Sequence, residues 1–329
     1  MKKIKWGILS TANIAQTQVI PAIQRSALAE VEAIASSSGK GAEVAAKLNI
    51  PSIYNTYEEL LQDPKIDAVY IPLPNSLHRK WVLEAAKHGK HILCEKPAAL
   101  TAQEMIEMDR YCKEQNVLFM EAFMYQFHPQ HERVKEIIAS GEIGEVKLMR
   151  SSFSYYMEDR ETNIRMDKSL GGGSIYDVGC YCIHSMRYIL GAEPVKVQAL
   201  GRLDPETGVD VSAVAYLEFD RGIQGVFDCS FEASFRQEYE IVGTKGRILV
   251  PRAFRPDVNG GVGMVTVESN GQRRTEQVEG DIYLLQVDHL SEAILEKKPL
   301  VYPAEETIAN MHVIDACYSS LEKKDEVTI

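Results

Sequence analysis

The chain has 329 residues, of which 45% are hydrophobic and 25% charged, so its composition excludes a disordered chain and a membrane-embedded one. Its length suits two domains better than one core. The formal net charge of -11 weighs against nucleic acid or an anionic membrane as the main partner. We therefore expect a small-molecule ligand. The sequence has neither a signal-peptide pattern nor an apolar run of about 18 residues, which predicts a cytoplasmic protein.

Short β-rich apolar runs alternate with amphipathic stretches from residue 3 to about 122. Six runs of this kind predict a doubly wound parallel sheet with helices on both faces, and hence a Rossmann dinucleotide-binding domain over residues 1–122. Local signals agree with this prediction. Thr101 and Glu104 form a capping-box pattern at the start of the fifth helix, and His88-Gly89 is typical of the end of the fourth.

The alternation of predicted strands and helices ends after residue 123. A helix, a strand, the glycine-rich stretch LGGGSIYDVG and a second helix come first, then seven successive strand patterns and two closing helices. Strands without helices between them predict an antiparallel arrangement. We therefore expect an α+β domain over residues 123–329, with a large, mostly antiparallel sheet that has one face against helices and the other face open.

The stretch GILSTANIA follows the first strand, where a dinucleotide-binding protein carries G-x-G-x-x-G/A. Ser10, Ala12 and Ala15 occupy the three glycine positions. All three are small, so the backbone can still approach a pyrophosphate at the helix N-terminus. This motif alone leaves two readings equally open: a phosphate-binding turn, or a simple connection from strand to helix.

The second strand ends in Ser36, Ser37 and Ser38, followed by Gly39 and Lys40, with no carboxylate for a ribose 2′-hydroxyl. Hydroxyls and a lysine can receive a 2′-phosphate, which favours NADP(H) while NAD(H) stays possible; the alternative is an ordinary turn. Lys96 in CEKP lies at the end of the fifth strand, where open α/β sheets bind ligands. Its position after an apolar strand and before Pro97 favours a functional role over a solvated lysine.

Six cysteines are present without a C-x-x-C pair, so we expect reduced thiols in the core. Cys180-x-Cys182 has no second pair of ligands and is weak evidence for a metal site. His128 and His131 stand three residues apart without a third ligand, and we expect them to face solvent. The sequence therefore predicts no metal site.

Four ordered motifs together resemble the Gfo/Idh/MocA family of oxidoreductases, and within it the branch of sugar and dihydrodiol dehydrogenases. They are EKP after the fifth strand, EAFMYQFHPQ after the sixth, GGGSIYDVGCYCIHSMRYILGAEP at 171–194 and EIVGTKGRI at 240–248. The resemblance covers nearly the whole chain. It implies an N-terminal Rossmann domain, and a C-terminal substrate-binding and oligomerisation domain over residues 123–329. The open sheet of that domain often forms the oligomer interface, here of a homodimer or homotetramer.

The resemblance also implies roles for individual residues. Lys96 is catalytic and often precedes a cis bond to proline, Asp177 is the acid of D-x-G-x-[HY], and Tyr181 is the acid/base residue that ends that motif. A phenol with a pKa near 10 is a poor base, but a cation within about 4 to 6 Å can lower that pKa by roughly 1 to 3 units. Lys96 is the expected cation. His184, three residues after Tyr181, is either a substrate contact or a core histidine.

We predict Lys96, Asp177, Tyr181 and His184 as the substrate-binding set. The predicted cofactor contacts come from the first turn, the end of the second strand and the two later strand ends: Ser10, Thr11, Ala12, Asn13, Ile14, Ser36, Ser37, Lys40, Pro74, Asn75, His78, Glu95 and Lys96. The leading hypothesis is an NAD(P)-dependent dehydrogenase or reductase of a sugar, cyclitol or related polyol. The alternatives are a non-catalytic sensor or regulatory protein of the same fold, and an enzyme directed at dihydrodiols or imines.

Overall fold

The computed structural model describes residues 2–329. In the first part of the chain, strands alternate with helices, as the periodicity predicts. The elements are β1 (Ile4–Leu9), α1 (Ile20–Arg25), β2 (Ala29–Ala35), α2 (Gly41–Leu48), β3 (Ser52–Tyr54), α3 (Tyr57–Gln62), β4 (Ala68–Ile71), α4 (Asn75–Lys87), β5 (His91–Cys94), α5 (Ala102–Glu114) and β6 (Phe119–Glu121).

These six strands form one parallel sheet in the order β3-β2-β1-β4-β5-β6. The order reverses between β1 and β4, which opens a crevice at their carboxyl ends, the usual ligand site of doubly wound sheets. Every residue of β4 is buried, as expected for a strand covered on both faces. The predicted doubly wound parallel sheet is confirmed.

The predicted helix ends are also present. The Thr101 hydroxyl accepts a hydrogen bond from the Glu104 amide at 3.2 Å, and the Glu104 carboxylate accepts one from the Leu100 amide at 3.0 Å. At the other end of α4, His88 is the C-cap and Gly89 has a φ of +69°. That left-handed conformation favours glycine, which explains why α4 ends there.

The second part of the chain has four α-helices and nine strands. The elements are α6 (Pro129–Ala139), β7 (Val146–Tyr156), α7 (Cys180–Leu190), β8 (Pro194–Leu203), β9 (Asp210–Phe219), β10 (Gln224–Ser230), β11 (Glu232–Gly243), β12 (Gly246–Val250), β13 (Val262–Ser269), β14 (Gln272–Glu279), α8 (Ile282–Glu296), α9 (Ala304–Lys323) and β15 (Val327–Thr328).

A nine-stranded sheet has the order β14-β13-β12-β11-β7-β10-β9-β8-β15. Only the β7–β10 pair is parallel, so the prediction of a mostly antiparallel sheet is confirmed. Met149, Ser151 and Phe153 of β7 are buried on one face. Val214 and Tyr216 of β9 are exposed on the other, so this sheet has one open face.

Contacts divide the chain into two units. One comprises the chain up to Phe123 together with Tyr283–Ile308, and the other comprises Met124–Ile282 together with Ala309–Ile329. The sequence-based boundary falls at residues 122 and 123, and it assigns residues 283–308 to the second domain. The structure groups that segment with the first unit instead.

The prediction that His128 and His131 face solvent is wrong, because both are fully buried. The His128 Nδ1 accepts a hydrogen bond from the Gln130 amide and so caps α6, while its Nε2 bonds to the Gly261 carbonyl at 3.1 Å. His131 bonds to the Tyr239 hydroxyl at 2.8 Å and to the Ala253 carbonyl at 3.1 Å. Gly261, Tyr239 and Ala253 lie more than 100 residues along the chain from these histidines, so sequence periodicity gave no sign of them.

All six cysteines are free and buried, in agreement with the prediction of reduced core thiols. Burial raises the pKa of Cys112 and of Cys182 to about 12, which keeps both as unreactive thiols at neutral pH. Between residues 2 and 329, no helix has the length and apolar character needed to cross a bilayer.

His131 makes the stability of the protein sensitive to acid. Burial is the main cause that lowers its pKa from 6.5 to about 3, so the folded state binds its proton more weakly than the unfolded state. Its contribution to stability is complete above pH 6.5 and is lost as the pH falls toward 3. Between pH 7 and pH 5, we expect the unfolding free energy of the wild type to fall by about 2 kcal/mol more than that of His131→Gln, as measured by urea denaturation.

The control is His312→Gln, because His312 is an exposed histidine. That variant is expected to keep the wild-type difference between the two pH values. An equal difference in wild type and His131→Gln would contradict the prediction.

Candidate active site

Ser10 adopts the backbone conformation that the missing glycine would have supplied. Its φ is +126°, in the region that favours glycine. The Ser10 hydroxyl donates to the Pro72 carbonyl at 3.2 Å and accepts from the Ala12 amide at 3.2 Å. Two hydrogen bonds therefore hold a non-glycine residue in the turn, and they join the carboxyl end of β1 to the loop after β4.

The helix after this turn begins irregularly. Ala15–Val19 form a π-helical turn that leads directly into α1. Pro21, in the first turn of α1, has no amide hydrogen to donate, which accounts for a break in regular spacing nearby. Ser10, Thr11, Ala12 and Ile14 are partly buried and Asn13 is exposed, so four of these five residues after β1 are small or polar, and their contact with a cofactor stays a prediction.

The end of β2 also fits a dinucleotide. Ser36 is buried and its hydroxyl lies 2.8 Å from that of Ser38, whereas Ser37 and Lys40 are exposed. Gly39 turns the chain with a φ of +75°. Residues 36–40 thus present hydroxyls and one cation, with no carboxylate to repel a phosphate.

His78 lies inside the first unit between two strand-end loops. Its Nδ1 is 2.9 Å from the Pro97 carbonyl oxygen and its Nε2 is 2.8 Å from the Leu73 carbonyl oxygen. Burial lowers its pKa to about 4, so the ring is neutral at pH 7. Pro74 and Asn75, at the start of α4, are partly buried beside it. His78 joins the loops after β4 and β5, and its direct contact with a cofactor stays a prediction.

Lys96 is partly buried in a segment whose backbone is fixed on both sides. Before it, the Glu95 amide donates to the Ile71 carbonyl at 3.1 Å, and the Glu95 carboxylate accepts a hydrogen bond from the buried Tyr70 hydroxyl at 2.5 Å. After it, the Lys96–Pro97 bond is cis, and the Ala98 amide donates to the buried Glu121 carboxylate at 2.9 Å. The anchored backbone holds the lysine at the carboxyl end of β5.

Asp177 and Tyr181 lie in the second unit, on one continuous helical segment. Asp177 is in a π-helical turn, Ile175–Gly179, that leads into α7, and Tyr181 is four residues later. This spacing places the two side chains about one turn apart on the same side of the helix. The segment begins earlier than the sequence predicts, because residues 175–179 are helical and not a loop.

The buried carboxylate of Asp210 anchors the start of that segment. It accepts hydrogen bonds from the Ser174 hydroxyl at 2.8 Å, the Ile175 amide at 2.8 Å and the Tyr318 hydroxyl at 2.9 Å. Asp210 is 2% exposed, and burial is the main cause that raises its pKa. A carboxylate at a helix N-terminus is also favoured by the helix dipole.

Asp177 has two partners that the sequence could not place. One of its oxygens, Oδ2, is 2.8 Å from the Tyr155 hydroxyl, which donates to it, and 2.8 Å from Nε of Arg165. Burial and the charge of Asp177 raise the pKa of Tyr155 far above 10, so the phenol stays protonated. The carboxylate therefore carries a paired cation and a neutral donor.

Tyr181 is 5% exposed and sits among aromatic rings. Its ring centroid is 5.3 Å from that of Phe153, 5.5 Å from Phe254 and 5.7 Å from Tyr125. The Tyr125 hydroxyl is 2.5 Å from Nδ1 of His184. His184 is buried behind this cluster, where burial lowers its pKa well below 6.5, and its contact with a substrate stays a prediction.

The sequence pattern gave no sign of Asp210, and it did not place Tyr155 or Arg165 beside Asp177. Strand alternation could have placed Tyr155 on the same face as Phe153, two residues earlier. Arg165 lies in a short 3-10 turn, Ile164–Met166, where no periodicity exists. Between residues 2 and 329, no group of three or more histidine, cysteine or acidic side chains is arranged to hold a metal ion.

Two family models match the chain. The model described as "Oxidoreductase family, NAD-binding Rossmann fold" covers residues 4–123, and that of the GFO/IDH/MocA C-terminal domain covers residues 131–249. A D-xylose 1-dehydrogenase (NADP(+)) from Haloferax volcanii is 40% identical over 96% of this chain and 97% of its own. A trans-1,2-dihydrobenzene-1,2-diol dehydrogenase from Mus musculus is 31% identical over 92% of each chain.

Solved structures are similar over almost the whole length. A 3-ketoreductase from Actinomadura kijaniata, in complex with NADP and TDP-benzene, has a TM-score of 0.92 and 28% identity over 97% of this chain and 98% of its own. The aldose-aldose oxidoreductase from Caulobacter crescentus has the same TM-score at 24% identity and covers both chains fully. The second likeness shows a shared fold.

Ser10 should prefer glycine over alanine. Ser10→Ala loses both hydroxyl hydrogen bonds and keeps the strained φ, whereas Ser10→Gly loses the same bonds and relieves the strain. We expect Ser10→Ala to be less stable than Ser10→Gly by about 1 kcal/mol in urea denaturation.

Ser140 provides the matched control. Its hydroxyl also makes two hydrogen bonds, to the Ile137 carbonyl and from the Glu142 amide, but its φ is -66°. There the alanine variant should be at least as stable as the glycine variant. If the alanine and glycine variants had the same order of stability at both positions, strain at Ser10 would be refuted.

Proposed function

The chain belongs to the Gfo/Idh/MocA family of NAD(P)-dependent oxidoreductases, and we propose that it transfers a hydride between nicotinamide and a sugar, cyclitol or related polyol. Lys96 and Tyr181 are the proposed catalytic pair, with Asp177 as an orienting group. The observation that carries the proposal is the fixed position of Lys96 at the carboxyl end of β5, held between backbone anchored by Glu95 and Glu121. Ligands of open α/β sheets bind at such strand ends.

In the proposed oxidation, the Tyr181 phenolate takes the proton of the substrate hydroxyl while the carbinol carbon loses its hydride. The nicotinamide, when bound, supplies the hydride acceptor, and its reduced form supplies the donor for the reverse reaction. Lys96 stabilises the phenolate by its charge. Asp177, already paired with Arg165, orients a substrate hydroxyl or the lysine. The same groups return the proton to a carbonyl oxygen during reduction.

The relatives support the substrate class. The Haloferax volcanii relative acts on D-xylose and the Mus musculus relative on a dihydrodiol, and both substrates carry adjacent hydroxyl-bearing carbons. The aromatic rings of Phe153 and Phe254 beside Tyr181 suit the apolar face of a small ring. We place sugars and polyols first and dihydrodiols second. A sensor of the same fold would not need the fixed Lys96.

We propose NADP(H) as the preferred cofactor. The hydroxyls of Ser36 and Ser37 and the exposed Lys40 suit a 2′-phosphate, and the Haloferax volcanii relative is an NADP(+) enzyme. The remaining contacts are proposed along the turn after β1 and the loops after β4 and β5, as predicted from the sequence.

We further propose a cytoplasmic homodimer that uses the open face of the nine-stranded sheet; a tetramer would add a second interface. Leu200 of β8 pairs in register with Val214 of β9, and Tyr216 lies on the same face. Their exposures are 64%, 53% and 36%, which is high for large hydrophobic side chains grouped on one face of a sheet.

Removal of either member of the catalytic pair should stop turnover. We expect Lys96→Met and Tyr181→Phe each to lower kcat by at least about 100-fold, because each removes a group that acts in proton transfer. The assay follows NADPH absorbance with D-xylose, myo-inositol and a trans-dihydrodiol. NADPH fluorescence titration checks that the variants still bind cofactor.

Tyr188→Phe is the control, since Tyr188 is a tyrosine of the same helix that bonds to Glu132. It should keep near-wild-type turnover. Unchanged turnover in Lys96→Met, with cofactor binding intact, would sink the proposed mechanism. No activity of the wild type with any pair of substrate and cofactor would favour the sensor.

Charge reversal at Lys40 should reduce the preference for NADP. We expect Lys40→Glu to lower the ratio of kcat/KM for NADP over NAD by at least about tenfold, because a carboxylate would repel the 2′-phosphate. Lys47→Glu, on the same helix α2, makes the same change in net charge and should leave the ratio unchanged. Equal ratios in the two variants would argue against a 2′-phosphate near Lys40.

A further inference from the structure

Arg165 is a charged residue that the proposed mechanism has not used. It lies in the irregular segment between β7 and α7, and its Nε is 2.8 Å from Oδ2 of Asp177. The Asp177 side chain is 12% exposed and that of Arg165 is 42% exposed. An ion pair with one nearly buried member is screened by solvent less than a surface pair.

The glycine-rich stretch of the sequence explains how Arg165 reaches Asp177. The Gly173 amide donates to the Arg165 carbonyl at 3.1 Å, and the Gly172 amide donates to the Asp167 carbonyl at 2.9 Å. A Cβ atom at Gly172 would lie 2.4 Å from the Arg165 carbonyl oxygen, so only glycine permits this approach. The glycines thus fold the Arg165 segment back onto the start of the helix.

The same arrangement places the guanidinium on Asp177, one helical turn before Tyr181. The charge of Asp177 is the main cause that raises the pKa of Arg165 far above its ordinary value, and the phenols of Tyr155 and Tyr181 add to the rise. Arg165 therefore stays charged at every pH at which the protein is folded. Because Tyr181 is one helical turn from Asp177, the charges of both Asp177 and Arg165 act on its phenol.

The charges of Asp177 and Arg165 act in opposite directions on the ionisation of the Tyr181 phenol. The Asp177 carboxylate alone would oppose ionisation of a phenol one turn away, because like charges repel. The guanidinium cancels that repulsion and adds attraction of its own. A base at Tyr181 thus depends on a cation in its own unit, in addition to the lysine of the first unit.

The other groups near Tyr181 do not supply this charge. Tyr125 packs against it with its hydroxyl on His184, whose buried ring is neutral. Tyr155 reaches the same carboxylate as a protonated phenol. Phe153 and Phe254 complete the surrounding rings and carry no charge.

We propose that Arg165 is a positioning residue for proton transfer at Tyr181, acting through its ion pair with Asp177. This inference rests on the proposed function of Tyr181. The inference also explains the glycines before the D-x-G-x-Y motif. They allow the Arg165 segment to pack against the start of the helix that carries the acid/base tyrosine.

The test is the pH profile of kcat/KM for oxidation of the best substrate, with saturating NADP. In Arg165→Gln we expect the acidic limb to move to higher pH by about one unit, with about tenfold lower activity at pH 7 that recovers at alkaline pH. Arg165→Lys keeps the charge and should fall between the two profiles. If Arg165→Gln does not fold, the profile of Arg165→Lys still tests the proposal.

Arg160→Gln is the matched control. Arg160 lies five residues earlier in the same segment and pairs with Glu232 at 2.9 Å, so the variant also removes one ion pair. It should leave the acidic limb in place. A profile of Arg165→Gln that is lowered equally at all pH values, or that matches Arg160→Gln, would overturn the inference.

Failure of the proposed function gives a different result. If Tyr181→Phe keeps wild-type turnover, Tyr181 is not the acid/base residue and both proposals fall. If Tyr181→Phe is inactive and the acidic limb of Arg165→Gln does not move, the role of Arg165 alone is wrong.

Discussion

One buried carboxylate determines where the helical segment that carries Asp177 and Tyr181 begins. Asp210 leaves water almost completely, and the loss of hydration of a carboxylate costs several kcal/mol unless hydrogen bonds replace it. Ser174, Ile175 and Tyr318 supply three donors to it. Because two of those donors begin the helix that carries Asp177 and Tyr181, the helix can start in only one place relative to β9. The spacing of the acid and the tyrosine then follows from helix geometry.

Irregular backbone occurs where the ligand is expected, in both units. The turn after β1 holds Ser10 at a φ of +126° and leads into a π-helical turn, and Asp177 lies in a second π-helical turn. Such turns have poorer hydrogen-bond geometry than an α-helix and are frequent at functional sites. The parallel strands β4 and β5 beside the first turn are regular and buried. The regular core thus supports two local departures from ideal geometry.

The sequence predicted those parts of the fold that local pattern decides. Alternating apolar runs identified all six strands of the parallel sheet, and the pair Thr101 and Glu104 marked a helix start that the structure contains. The predictions failed where a partner lies far along the chain. His131 was expected in solvent because its bonds to Tyr239 and Ala253 span more than 100 residues.

The candidate site divides in the same way. Motifs singled out Lys96, Asp177 and Tyr181 as candidates, because Lys96 precedes Pro97 at a strand end and the other two flank Gly179; their roles stay predictions. Asp210 begins an ordinary strand, and nothing local distinguishes it from a surface acid. The position of Arg165 could be found only from the structure, because the backbone contacts of the glycine run bring its segment to Asp177. Behind Tyr181, the hydroxyl of Tyr125 pairs with the neutral His184, whereas Asp177 and Arg165 place charge one helical turn before the phenol. Substitutions behind the tyrosine should therefore act on packing, and those beside it on its ionisation.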